Sequence, residues 1–378
     1  MFSGILSKVL IRGNRLQLTT IRNLPQRLCS SVASSEMMAQ KQKFHSALEG
    51  VVGSFVSNPH FAEFPDIAAR MTELLDYQMI GGKYVRGLLT VMAYDAWEKP
   101  DNITEETLNL SYIMGWFIEI FHTSWLIMDD IVDASEKRRN KLCWHRLPNV
   151  GMQAINDNAI LYSSMKYLLK EKFGNMPGYM QINDLFNKAF LYTSIGQHID
   201  SSLSQRKHGY SMFTEENYKK MSQYKTTFYT FEFPVSVGMV LANKYDEENI
   251  KKVHKIIDKL GLLYQMQNDF RDVYGESEFG INGNDIEQGK CTWLALKTLQ
   301  LCSDDERKIF TSYYGSHEPA QVKQIKALYD QLDLPTKYEE EERKIRDEIV
   351  HHASNFGDSR VYGLFLKLLD VILNKKEF

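Results

Sequence analysis

"LSYIMGWFIEIFHTSWLIMDDIVD", residues 110–133, is apolar for most of its length and ends on Asp129, Asp130 and Asp133. Long enough to cross a bilayer, it nevertheless carries Glu119 and His122 near its middle. An acid at a helix centre in lipid costs about 2.5–3.5 kcal/mol even on the gentlest scale, so a helix buried in protein is expected and no membrane span. The other half of the chain repeats the build in "YQMQNDFRD", residues 264–272, with Asn268 where the first stretch has Asp129. Two apolar helices, each running into acids at its C-terminal end, point to an all-α fold.

Composition agrees with that reading. Of 378 residues, 43% are hydrophobic and 25% charged, which suits a large core and argues against wholesale disorder. Proline is scarce while Met, Tyr and Phe are plentiful, and few segments alternate with the period of two that half-buried strands need. A formal charge of −3 argues against a nucleic-acid binder, which needs a strongly basic face. Cys29, Cys143, Cys291 and Cys302 have neither paired metal spacing nor the number for a disulfide framework. Helical patterns run over 40–58, 83–98, 104–132, 151–171, 181–204, 215–242, 248–276, 290–300, 318–355 and 360–374.

Residues 1–35 differ in kind. They hold Lys8, Arg12, Arg15, Arg22 and Arg27, no acid, and many Ser and Thr. Such a segment reads as a mitochondrial presequence, with a disordered basic tail on a cytoplasmic protein as the alternative. Residues 36–378 form the expected domain.

On a helix Asp129 and Asp133 are neighbours at i,i+4, as are Asn268 and Asp272, with Glu276 one step further on the same face. Clustered carboxylates repel, the more so where an apolar wall excludes water. All-oxygen ligands without His or Cys select a hard cation such as Mg2+, whose remaining ligands are water and substrate phosphates. "GGKYVRG" (81–87) supplies Lys83 and Arg86, "EKRRNKLCW" (136–144) supplies Arg138 and Arg139, and Lys225 and Lys290 stand in "QYKTTFY" and "GKCTW". Two metal-type clusters with these cations describe a site for one or more diphosphates.

From about residue 45 onward the chain resembles the trans-isoprenyl diphosphate synthase family, its animal farnesyl diphosphate synthase branch above all. The matching stretches are "GGKYVRG", "DDIVDASEKRR", "CWHRLPNVGMQAINDN", "IGQHID", "YKTTFYTFEFP", "YQMQNDFRD" and "GKCTW", in the family's order. The resemblance implies an isoprenoid-synthase-type helical bundle around a central cavity, a homodimer, and about three Mg2+ ions bridging an allylic prenyl diphosphate to two acidic helices. Carried over by position, it makes Asp129, Asp130, Asp133 and Asp200 metal or metal-water ligands on one side and Asp269 and Asp272 on the other. Arg138, Lys225, Thr226, Gln265 and Lys290 become contacts of the allylic diphosphate, with Arg138, Lys225 and Lys290 neutralising the leaving group. Lys83, Arg86, Arg139 and the position of His122 belong to a second pocket, which holds isopentenyl diphosphate in the synthases. Ser124 and Trp125 stand where the family sets pocket depth, and Trp125, Phe228, Tyr229 and Tyr264 offer ring faces to a carbocation.

The departures from the family cluster on the second pocket. His122 replaces a Gln, Asn140 a Gly, Ile281 a Lys, and the basic C-terminal tail is reduced to "NKKEF". Asn268 opens the second acidic motif, and Asn268, Asp272 and Glu276 resemble the Asn-x-x-x-Ser/Thr-x-x-x-Glu metal triad of terpene cyclases. A prenyl synthase binds two diphosphates, whereas a terpene synthase ionises one. The leading expectation is therefore a class I terpene synthase acting on an allylic diphosphate, farnesyl diphosphate first. The alternative is a short-chain prenyltransferase, making farnesyl or geranyl diphosphate with isopentenyl diphosphate as co-substrate.

Overall fold

Thr104 opens the helix that the sequence singles out. Its hydroxyl accepts from Thr107 N at 3.2 Å, the Thr107 hydroxyl in turn accepts from Thr104 N, and Glu105 and Glu106 occupy the first turn, where the helix dipole favours acids. The helix runs Glu105–Val132 and stops where Asp133 leaves helical geometry and Ala134 takes positive φ.

The computed structural model describes residues 31–204, 210–275 and 283–374. Its helices are, in order, α1 (Ser31–Val56), α2 (Pro65–Met79), α3 (Val85–Trp97), α4 (Glu105–Val132), α5 (Ala154–Phe173), α6 (Tyr179–Ser204), α7 (Glu215–Ser222), α8 (Phe233–Leu241), α9 (Glu247–Tyr274), α10 (Asp285–Gln288), α11 (Trp293–Leu301), α12 (Asp304–Tyr313), α13 (Pro319–Gln331), α14 (Leu334–Ala353) and α15 (Ser359–Asn374). The fold is all-α, and among the described residues the one sheet is the hairpin Lys137–Arg138 with Lys141–Leu142. No described helix is long and apolar enough to cross a membrane.

Contacts divide the chain into Met1–Lys43 and Phe44–Phe378. Of the first unit, residues 31–43 are helical, while residues 1–30 of the expected presequence lie outside the described residues. The second unit holds the bundle. Met114, Trp116, Phe117, Ile118, Ile120 and Phe121 of α4 are all fully buried, which is the mark of a helix hydrophobic all round and enclosed by others. Those others are chiefly α3 and α5, with α2 and α8 also touching α4 and α3 packing in turn on α8. Each such side chain contributes roughly 1.5–3 kcal/mol by burial, and Phe117→Ala would cost about 3–5 kcal/mol. Glu119 is tolerated there because its carboxylate accepts from Gly87 N at 2.7 Å and faces Arg86 and Arg139.

Between α7 and α8 the rod widens. Residues Gln223–Glu232 wind as a π-helix, with Phe233 N–H reaching back to Phe228 O. Pro234 follows directly. In an α-helix its ring would press on the carbonyl four residues back, and the wider winding avoids that clash. This segment lies against α6 and α9.

The expected helix pattern needs correcting. The pattern over 318–355 is two helices, α13 and α14, because Asp333 takes positive φ and Pro335 opens the second. Helices α2, α10 and α12 were not expected; α10 is a single short turn, and α2 and α12 carry polar or charged residues through their length.

Candidate active site

The C-terminal end of α4 presents Asp129, Asp130 and Asp133, and α6 brings Asp200 to face them. Three cations are threaded among these four acids. Arg138, on the hairpin, donates to Asp130 at 2.8 Å and to Asp129 at 3.1 Å. Lys225, on the π segment, donates to Asp200 at 2.6 Å and stands 3.8 Å from Asp129. Lys290 donates to Asp200 at 2.9 Å and stands 3.6 Å from Asp133.

Burial alone would raise the Asp200 carboxyl, but Lys225 and Lys290 outweigh it and hold the group down to about 2. The same pairing overcomes desolvation at Lys225 and Lys290 and keeps both ammonium groups charged. Asp133 is different. Burial lifts it, the like charges of Asp129 and Asp200 add to that, and Lys290 only partly compensates.

Across the cleft, α9 contributes Gln265, Asn268, Asp269 and Asp272. Gln265 accepts from Thr226 Oγ1 at 2.7 Å and donates to Asp269 at 2.8 Å. Asp269 also accepts from Tyr218 Oη at 2.7 Å and Trp293 N at 2.8 Å, yet burial still lifts it to about 6. Asp272 accepts from the backbone of Asn284 and Asp285, and Asn268 is exposed. The cleft is about 140 Å3 and is lined by residues including Asp133, Asp200, Lys225, Gln265, Asp269, Asp285 and Lys290. A larger hollow of about 520 Å3 follows one face of α14 past Lys344 and His352, but no second helix completes it.

Sequence reading missed Asp285. Its carboxyl is pushed well above the carboxylate range by burial and by Asp272 and Asp269. The only signal was an acid five residues before Lys290 in "NDIEQGK". Tyr218, the anchor of Asp269, left no signal.

Two matched acids are spent on the protein. Asp130 is 1% exposed and holds Arg138, and Asp269 is 3% exposed with three protein donors. Both are better placed to orient the site than to reach an ion. Glu276 and Ile281 lie outside the described residues, as does most of "NKKEF".

Among the described residues no three acidic, His or Cys side chains converge tightly enough to enclose an ion by themselves. A cation that keeps water and takes further oxygens from a ligand nevertheless fits the donors. They are all carboxylates, and those of Asp133, Asp272 and Asp285 are pushed up by burial, with neighbouring acids adding to it. Burial pushes the nearby Cys291 thiol up. That donor set suits Mg2+.

The residues that the resemblance assigns to a second pocket lie at the start of α3, on α4 and on the hairpin. Lys83 is exposed before α3, while Arg86 is only 9% exposed. Arg86 donates to Tyr229 Oη and Thr230 Oγ1, each at 2.8 Å, and its Nη1 is 3.3 Å from His122 Nε2. An arginine has no acceptor, so that imidazole nitrogen must be the unprotonated one. Burial, then Arg86, Arg139 and Arg138, drive the His122 pKa well below its ordinary value. Arg139 donates to Gln78 O at 2.9 Å. Arg139 and Asn140 both take positive φ to form the two-residue hairpin turn. Asn tolerates that conformation next best after Gly, so this departure leaves the turn intact.

The aromatic wall is only partly free. Tyr229 lies under Arg86, and Phe228 lies 4.5 Å from Lys188 Nζ and 4.9 Å from the Tyr192 ring. Trp125 packs on Phe190 and Tyr264 on Phe231. Ser124 Oγ and Trp125 Nε1 are buried without a hydrogen-bond partner.

An all-helical bundle that sets two acidic helix ends around buried cations is the architecture of a polyphosphate-binding synthase. Residues 68–332 match the polyprenyl synthetase family. Human farnesyl pyrophosphate synthase is 35% identical over 362 residues, covering 93% of this chain and 86% of that protein. Geranyl diphosphate synthase of Ips pini is 33% identical, covering 88% and 84%. Farnesyl pyrophosphate synthase of Murgantia histrionica is 32% identical, covering 82% and 77%. The chain belongs to the polyprenyl synthetase family and is an enzyme of that family, similar to farnesyl and geranyl diphosphate synthases.

Proposed function

We propose that this enzyme ionises an allylic prenyl diphosphate in the cleft between α4 and α9. The alternation of Arg138, Lys225 and Lys290 with Asp129, Asp133 and Asp200 carries this reading. Mg2+ held by Asp129 and Asp133, and by Asp272 across the cleft, would supply Lewis-acid polarisation of the leaving diphosphate. With Asp129 and Asp133 so occupied, the donors of Arg138, Lys225 and Lys290 that Asp130 and Asp200 do not engage would face the diphosphate and neutralise charge as the C–O bond breaks. Thr226 and Gln265 hold the π segment against α9 while this happens.

For the fate of the cation, the names of the relatives support prenyl transfer to isopentenyl diphosphate, the alternative left open by the sequence. A second reading, terpene formation from the allylic diphosphate alone, is favoured by one observation: Arg86 and Arg139 are committed to Tyr229, Thr230 and Gln78 and face the buried acid Glu119. Purified protein with geranyl or farnesyl diphosphate, each with and without isopentenyl diphosphate, separates the two. A longer diphosphate only when both substrates are present supports transfer; a hydrocarbon or terpene alcohol from the allylic substrate alone supports the second reading. No product in any arm overturns both.

Apolar side chains exposed on α5 and α6, Ile155, Leu191 and Ile195, support a homodimer. The basic, acid-free residues 1–35 support mitochondrial import.

A further inference from the structure

Two glycines, one on α6 and one on α9, meet the π segment where no side chain fits. A Cβ on Gly196 would overlap Lys225 N and Cα and come within 2.5 Å of Tyr224 C. A Cβ on Gly261 would overlap Thr227 Oγ1 and lie 2.5 Å from Thr227 Cβ and Cγ2. The first contact is with backbone, which has no rotamer to yield.

One turn further along each helix a polar group holds an adjoining residue of the same segment. On α6, Asp200 accepts from Lys225 Nζ at 2.6 Å. On α9, Gln265 accepts from Thr226 Oγ1 at 2.7 Å. A π-helix is wider than an α-helix, so its neighbours can hold it at both sides only if their own surfaces are cut back.

We infer that Gly196 and Gly261 are positioning residues that seat the π segment, so that the Lys225 ammonium stands between Asp129 and Asp200. The inference rests on the proposed ionisation, in which Lys225 neutralises the leaving group. A methyl group at either position displaces the segment, and a displacement of about 1 Å can cost 100-fold in rate.

The test uses the full chain with Gly196→Ala, Gly261→Ala and the double variant Gly261→Ala/Thr227→Gly. Gly53→Ala, which meets nothing within 4 Å, is the control. Diphosphate release from geranyl and farnesyl diphosphate, each with and without isopentenyl diphosphate, is measured with Mg2+, beside thermal melts and hydrogen exchange of amides 223–232. The expected result for Gly196→Ala is a cooperative melt, faster exchange confined to that segment, and kcat down about 100-fold with KM changed less than about threefold. Thr227→Gly should recover at least about tenfold of the Gly261→Ala loss by removing the atoms it meets.

The inference is overturned if either alanine variant keeps kcat within about threefold of the parent, or if Thr227→Gly recovers nothing. Alanine variants that fail to fold also overturn it, since the close approach would then serve the bundle and not the site. A parent without turnover overturns the proposed function instead, and exchange over 223–232 alone then decides the seating.

Discussion

The Arg86 guanidinium lies 4.3 Å from the centre of the Tyr229 ring and donates to the Tyr229 hydroxyl at 2.8 Å. An arginine from the second pocket is thus tied to the π segment that carries Lys225, and the two halves of the site share one support. Tyr229→Phe should lower stability by about 1.5–3 kcal/mol, the usual worth of a hydrogen bond to a charged group. It should also raise the share of chain-elongated product when isopentenyl diphosphate is added, because a donor of Arg86 is released. Denaturant melts and product ratios by chromatography read both effects.

Asp129 and Asp133 should each lose at least about 100-fold in turnover on change to Ala, and chelation of Mg2+ should abolish activity. Asp130→Asn should behave differently. Its carboxylate holds Arg138 rather than facing the cleft, so added Mg2+ should restore none of its loss. Metal titrations of the three variants side by side check this, and full turnover in EDTA would sink the metal assignment.

His122 is kept neutral by burial and by three arginines. Its folded pKa is below its unfolded value, so the folded state is favoured above the ordinary imidazole value and weakens as pH falls below it. His122→Gln removes this titration. The variant should outlast the parent between pH 5 and 6.5 in urea melts and match its pH trend at pH 8, and it should elongate isopentenyl diphosphate better than the parent.

His254 behaves in the opposite sense. Its bond to Glu232, 3.0 Å long, raises the imidazole pKa in the folded state. Stability from that pair is therefore complete below the ordinary imidazole value and is lost as pH rises through the raised one. His254→Gln should melt further below the parent at pH 5.5 than at pH 8.5, with activity unaffected, because the pair lies outside the cleft.

Much of the site was legible because helix periodicity is a local property. Asp129 with Asp133, and Asn268 with Asp272, fall on one face by spacing alone, and the buried α4 follows from a largely apolar run whose one acid is Glu119. The break between α13 and α14 was written in "LDLP" but was masked by helical spacing on either side. Residues 1–30 could be read only by composition.

Sequence by itself established an all-α chain with two acidic helix ends and a set of cations, since these depend on residue type and near-neighbour spacing. It could not tell which cation meets which acid, that Asp130 and Asp269 serve the protein, that Asp285 joins the cleft, or that residues 223–232 widen into a π-helix. Those outcomes belong to tertiary packing. Charges 25 to 90 residues apart, such as Asp200 with Lys225 and Lys290, interact only after α6, the π segment and α11's approach have closed on one another. Once closed, burial multiplies each charge's effect on its neighbours, and no local pattern carries that information.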